Sequence, residues 1–208
     1  ETPSTDDVTR SHGWVFEVPS AHDGLVEAVP LTAMGRFNRE AVCIDPRTGI
    51  AYLTEDQTDG PYYRHLPARP GDLKAGGRLQ AMALRGAPRA DVSDLTTRVW
   101  SPGDWREVVW IDLDHVESPE GDLRKRGHAA GATLISRGEG IHWGTGDGTS
   151  AGGELYLAAT TGGPIERGQI LRYIPSPREG HPDEAREPGR LQLCFESTDP
   201  RSLNMGDN

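Results

Sequence analysis

The chain has 208 residues, of which 26 are Gly and 16 are Pro, together a fifth of its length, and only 35 % are hydrophobic. That turn-rich composition excludes a helical bundle, the lack of any run of about 18 apolar residues excludes a membrane-spanning helix, and glycines without a three-residue period exclude collagen. A net charge of −10 with scattered basic residues argues against nucleic acid held on a basic face.

The chain begins at Glu1 with neither an initiator Met nor a signal peptide and stops at Asn208. Both ends read as cut, so a targeting segment would lie outside it. Gly13-Trp14-Val15-Phe16-Glu17-Val18-Pro19 alternates at the tempo of a half-buried strand. Strands at 41–44 and 50–54 flank Asp45-Pro46-Arg47-Thr48-Gly49, a hairpin turn in which Asp caps, Pro fixes φ and Gly accepts positive φ. Further strands are predicted at 61–66, 78–84, 106–111, 139–143, 154–160, 168–174 and 190–196. The Pro- and charge-rich stretches 67–76 and 176–189 read as loops. One helix is predicted near 119–130, where Ser118-Pro119-Glu120 offers an N-cap, a first-turn Pro and an early acid.

An internal echo runs through this order. Glu40 opens one strand, a hairpin leads to Ile50-Ala51-Tyr52-Leu53-Thr54, and Tyr62-Tyr63-Arg64 follows. Later Glu139 opens a strand, Glu154-Leu155-Tyr156-Leu157 follows, and Leu171-Arg172-Tyr173 comes last. A repeated unit of three or four antiparallel strands suits propeller blades. The fold class expected is all-β: a single partial propeller-like domain over 1–208, about three blades in an incomplete ring, with at most one or two short helices. An open arc would expose unpaired strand edges, hence an expectation of self-association.

Gly148-Thr149-Ser150-Ala151-Gly152 matches GxSxG, but a strand rather than a helix is predicted after it, so it reads as loop glycines. Glu40 and Glu139 open equivalent strands, and equivalent strand starts in a propeller converge near its axis. Carboxylates that meet there repel unless hard cations such as Ca²⁺ or Fe³⁺ lie between them. Arg137, two residues before Glu139, points to the same face of an ideal strand and could grip two phosphate oxygens. The alternative, a structural Arg–Glu pair at a strand edge, stays open. Glu55, Asp56 and Asp59 form an acidic run read as solvent-facing or calcium-binding. Arg64 and Arg172 read as packing and surface pairing, and Trp143 as a wall beside the site. Cys43 and Cys194 sit in apolar runs and read as buried thiols, with a disulfide left open by their spacing.

Four motifs in order resemble those of the PhoX-type bacterial alkaline phosphatases. Gly35-Arg36-Phe37-Asn38-Arg39-Glu40-Ala41 resembles the family's Gly-Arg-Phe-x-His-Glu-Ala block. Asp45 to Gly49 through Tyr52-Leu53-Thr54-Glu55-Asp56 resembles the hairpin after it. Arg137-Gly138-Glu139-Gly140 resembles the Arg-x-Glu-Gly block. Asn204-Met205-Gly206-Asp207-Asn208 resembles the Asn-Met-Pro-Asp-Asn block. The resemblance implies a segment of a propeller phosphatase that hydrolyses phosphomonoesters at a carboxylate-bound Fe³⁺/Ca²⁺ cluster. It also implies periplasmic or extracellular location through twin-arginine export. It would make Glu40, Glu139 and Asp207 metal ligands and Arg137 a phosphate contact, with Asn208 and Glu1 as further candidates. Arg39 stands where the family often has His, Gly206 where it has Pro, and the family's iron-binding Cys block has no counterpart in this chain. Two other readings accompany this one: a non-catalytic propeller scaffold or binding module, and a calcium-dependent hydrolase of phytase-like or lactonase-like type.

Overall fold

The turn at Asp45–Gly49 forms as its residue types dictate. Asp45 is fully buried, its Oδ1 accepts the Arg47 N–H at 2.8 Å, and Gly49 takes a φ of 74°. In the computed structural model, which describes residues 12–145 and 152–207, this turn joins strand β1 (Arg39–Ile44) to β2 (Ala51–Glu55). β3 (Tyr63–Arg69) and β4 (Asp72–Leu84) complete an antiparallel four-stranded meander. Then come β5 (Trp105–Asp112), the helix α1 (Leu123–Ala130), and a second meander of β6 (Gly138–Gly144), β7 (Glu154–Ala159), β8 (Gln169–Ile174) and β9 (Arg190–Glu196). β5 pairs with β4 on one side and β9 on the other, so the strand order is β1-β2-β3-β4-β5-β9-β8-β7-β6. The sheet folds back on itself and brings β6 beside β1.

The chain is therefore all-β and propeller-like, with one α-helix among the described residues. Several local expectations need correction. The described residues hold two four-stranded units, not three, because β5 bridges them. Stretch 67–76 is not a loop: β3 and β4 run on through it to a tight turn at Gly71. The strand expected at 13–19 is reduced to a single bridge, Phe16 to Pro30. The helix begins at Leu123, with Asp122 as its N-cap. Ser118 instead closes the turn before it, its hydroxyl donating to Asp122 Oδ1 at 2.8 Å and accepting the Asp122 N–H at 3.0 Å.

The register makes the internal echo a residue-by-residue repeat. In the first meander Leu53, Tyr52 and Ala51 pair with Tyr63, Arg64 and His65, and Arg64 pairs with Gln80. In the second, Leu157, Tyr156 and Leu155 pair with Leu171, Arg172 and Tyr173, and Arg172 pairs with Gln192. Alternation then assigns each sheet two unlike faces. The Tyr52 face of the first sheet packs against the Leu155, Leu157 and Leu171 face of the second. The opposite face of the first sheet, with Leu53, Tyr63 and Ala81, is covered by Met34, Phe37 and Leu123. Covering on both sides explains why all five residues of β2 are buried.

Between the sheets lies a polar network that corrects two expectations. Arg64 is 2 % exposed, not a surface partner. Its Nε donates to Gln80 at 2.7 Å, its two terminal nitrogens fork onto Glu184 at 2.7 Å each, and one also reaches Glu179 at 2.6 Å. The guanidinium lies 4.5 Å from the centre of the Trp110 ring. Tyr52 and Tyr173 donate to Glu179 at 3.0 and 2.9 Å. The charged 176–189 loop thus carries buried carboxylates into the interior. Both cysteines are free. Cys43 is half-buried, and Cys194 is exposed, against the expectation of a buried thiol.

Candidate metal and phosphate site

The first strand of each meander carries the same defect at the same place. Opposite β2, the register slips between Arg39 and Val42. Opposite β7, it slips between Gly138 and Ile141. Each slip is a β-bulge, an extra residue that bends the strand and re-aims a side chain. The re-aimed residues are Glu40 and Glu139. Thr54 ties the two bulges together: its hydroxyl accepts the Ala41 N–H at 3.0 Å and donates to the Glu139 carbonyl at 2.5 Å.

Two loop residues complete the arrangement. Asp56 and Thr160 follow β2 and β7 at equivalent points. The Asp56 N–H donates to the Asn38 carbonyl at 2.9 Å, and the Asn38 side-chain amide donates to the Asp56 carbonyl at 2.7 Å. Arg137 adopts the left-handed conformation, φ 52°, which is uncommon for a side-chain-bearing residue. It is fixed there because its N–H reaches the Gln57 carbonyl at 3.0 Å and its carbonyl receives the Thr160 N–H at 2.9 Å.

The result is a cleft of about 350 Å³ lined by Glu40, Asp56, Arg137, Glu139, Thr160, Met205 and Asp207. Carboxylate oxygens of Glu40, Asp56 and Glu139 lie within 4.8 Å of one another. Arg137 donates to Asp56 at 2.6 and 3.1 Å and to Glu139 at 2.9 Å. Asp207 is anchored by the Gly140 N–H, which donates to its carbonyl at 2.9 Å. Four carboxyl groups thus meet one guanidinium. Glu139, 3 % exposed, is pushed up to about 7, first by burial, then by its hydrogen bond with Asp207 and the charge of Asp56. Arg137 is held charged more firmly than usual, chiefly by Asp56.

All these donors are hard oxygens at a spacing that one or two cations would bridge. That set fits Ca²⁺ and Fe³⁺ and does not call for a soft thiolophilic ion. Cys43 packs against the inter-sheet core, and neither cysteine lines the cleft among the described residues.

Of the residues singled out from the sequence, Glu40, Glu139, Arg137 and Asp207 share this cleft, whereas Glu1, Asn208 and the GxSxG serine Ser150 lie outside the described residues. The acidic run divides three ways. Asp56 enters the cleft, Glu55 accepts the Tyr63 hydroxyl at 2.5 Å on the opposite face, and Asp59 pairs with Arg124 at 2.6 Å. Asp56 was legible only as one acid among three, and the echo supplies the missing signal, since it occupies the position of Thr160. Trp143 is not a wall of the cleft. It stands at the far end of β6, against Arg47, 5.3 Å from ring centre to guanidinium. Arg39 turns away from the cleft. It stacks 4.0 Å over the Phe37 ring and donates to the Met34 and Gly35 carbonyls, and burial pulls its guanidinium down to about 9.

No curated protein matches the chain. Its fold is similar to that of Pseudomonas fluorescens PhoX in complex with vanadate, a transition-state analogue, with a TM-score of 0.62 and 21 % identity. The match covers 95 % of this chain and 40 % of that one, so the chain spans well under half the length of that protein. The family model described as alkaline phosphatase PhoX matches residues 3–207. With the match running through nearly every residue, the chain belongs to the PhoX alkaline phosphatase family.

Proposed function

We propose that the chain is a segment of a phosphomonoesterase whose carboxylate cleft holds hard cations of the Ca²⁺ and Fe³⁺ type. The observation that carries this reading is the convergence of Glu40, Asp56 and Glu139 oxygens within 4.8 Å beside a guanidinium. Cations bound there would draw in the phosphate anion against the chain's −10 charge and stabilise charge that develops on the phosphoryl oxygens.

Glu40, Asp56 and Glu139, with Asp207, would hold the metal ions. The bulges fix the first and third on rigid strands, so the donors are positioned before binding. Arg137 binds the substrate anion. Its nitrogens are engaged by Asp56 and Glu139. With those carboxylates ligating cations, the Arg137 guanidinium would be less tightly held and its planar fork could grip two phosphate oxygens. Glu139, whose carboxyl is pushed up chiefly by burial, would hold a cation in its deprotonated form. Thr160, which is buried, adds a hydroxyl to the cleft lining.

The same reading carries phosphate-ester small molecules as partners, export to the periplasm or the cell exterior, and self-association through strand edges, the last checked by light scattering. The test of the chemistry is metal-dependent turnover of a phosphomonoester such as glycerol phosphate by the purified chain with added Ca²⁺ and Fe³⁺. Turnover that falls at least tenfold in Arg137→Met supports the reading. Turnover of lactones or phytate alone replaces it with the calcium-dependent hydrolase. Stoichiometric metal without any turnover replaces it with a binding module.

A further inference from the structure

Away from the cleft, a second group of buried polar atoms lies where β8 begins and β9 ends. Gln169 is 1 % exposed, and neither its side-chain oxygen nor its nitrogen has a hydrogen-bond partner among the described residues. It stands opposite Glu196 in the register, so both side chains leave the same face of the sheet about 5 Å apart at Cβ. Glu196 is 4 % exposed. Its Oε1 takes the Arg98 guanidinium, while Oε2 has no partner among the described residues. Asp94, 7 % exposed, completes the corner. Its Oδ1 accepts the Val99 N–H at 2.8 Å, and Oδ2 likewise has none.

The backbone holds these three groups together. The Gly163 N–H donates to the Ser93 carbonyl at 2.7 Å, which pins the residue before Asp94 to the loop between β7 and β8. A Cβ on Gly163 would stand 3.5 Å from Cβ of Glu196, and one on Gly162 would collide with Oε1 of Gln169. Gly162 therefore lets the loop close on Gln169, while position 163 is in ordinary contact range of Glu196. Arg98 is half exposed and serves only one oxygen of Glu196.

Buried oxygens without donors are costly, and carboxylate oxygens most of all. Three such oxygens in one corner, two of them on acids, match the donors a hard divalent cation takes. We propose that Asp94, Gln169 and Glu196 form a second cation site of the Ca²⁺ class, distinct from the carboxylate cleft. Its role is to brace the cleft. The loop that closes it begins at Thr160, and Ser197, next to Glu196, donates from its N–H to the Gly168 carbonyl at 2.9 Å and from its hydroxyl to the Leu203 carbonyl at 2.6 Å. The Met205 N–H in turn reaches the Arg167 carbonyl at 2.9 Å, so the segment that delivers Asp207 hangs from the same corner.

The test is calorimetric titration of the chelator-stripped chain with CaCl₂, alone and in three variants. Gln169→Met and Asp94→Asn should each bind one Ca²⁺ equivalent fewer than the native chain, and Glu139→Gln should keep that equivalent. Gln169→Met also removes the orphaned amide, so its metal-free melting temperature should equal or exceed that of the native chain, which keeps the test sound if Asp94→Asn fails to fold. Unchanged stoichiometry in Gln169→Met would overturn the proposal and assign the corner to bound water. Loss of the equivalent from Glu139→Gln, with Gln169→Met unaffected, would overturn it equally.

Discussion

At the scale of single residues, two acids named from the sequence, Glu40 and Glu139, meet because each sits in a bulge, and a third, Asp56, joins them from a loop. The alternation of an ideal strand puts Arg137 and Glu139 on one face. The contact does form, but through a left-handed backbone at Arg137 rather than through alternation. Arg137→Lys keeps the charge and loses the fork, so inorganic phosphate should bind the metal-loaded chain at least tenfold more weakly, as competition kinetics would read. Equal affinity would mean the residue acts as a point charge only. His65 offers a separate pH signature. It is fully buried, and burial holds its imidazole below the usual histidine range. The unfolded chain then binds the extra proton first, so this residue's contribution to stability is present above about pH 6.5 and is lost as pH falls below it. Glu139 and Glu55, both pushed up to about 7, act in the opposite sense, because they favour the folded state in acid. The comparison that isolates His65 is the native chain against His65→Phe. The variant should lose less melting temperature than the native chain between pH 7 and pH 5, and parallel curves would exclude the histidine as the cause.

At the scale of elements, strands and turns were largely legible, because Asp-Pro-x-x-Gly punctuation and β-branched or aromatic runs act locally. The 67–76 hairpin was not. Its Pro and Gly residues suggested a loop, yet antiparallel pairing carries β3 and β4 through it, with Pro67 opposite Gly77 and a register slip beyond. The strand at 13–19 had the right alternation but found only one bridging partner, and pairing is a tertiary property that alternation cannot reveal. The paired bulges were invisible for a related reason: an extra residue shows only against its partner strand. Thr54 links both bulges from a fully buried position, so Thr54→Val leaves an orphaned N–H and an orphaned carbonyl. It should cost roughly 1–3 kcal/mol in denaturant unfolding. An unchanged midpoint would show that the bulges stand without it.

At the scale of the whole molecule, the repeat explains why similar residues meet different fates. Arg64 and Arg172 occupy equivalent register positions, each beside a Gln. Arg64 lies between the two sheets with Glu179 and Glu184, whereas Arg172 pairs with buried Glu154 on the other face of the second sheet, under the Trp105 ring. Sequence alone made them alike, because which face is covered depends on the neighbouring unit. Arg64→Met strands two carboxylates in the interior and should cost roughly 3–5 kcal/mol, read as a fall in the unfolding midpoint. A loss below about 1 kcal/mol would mean that the network adds little beyond packing. The repeat also gives the central claim its logic, since two equivalent bulges aim two acids at one point, an arrangement that bound cations would favour beyond what Arg137 alone supplies. The most direct measurement is elemental analysis of the purified chain beside the double variant Glu40→Gln/Glu139→Gln. The account predicts calcium, with or without iron, in the native chain and at least one metal equivalent fewer in the variant. Equal metal content in the two would contradict it.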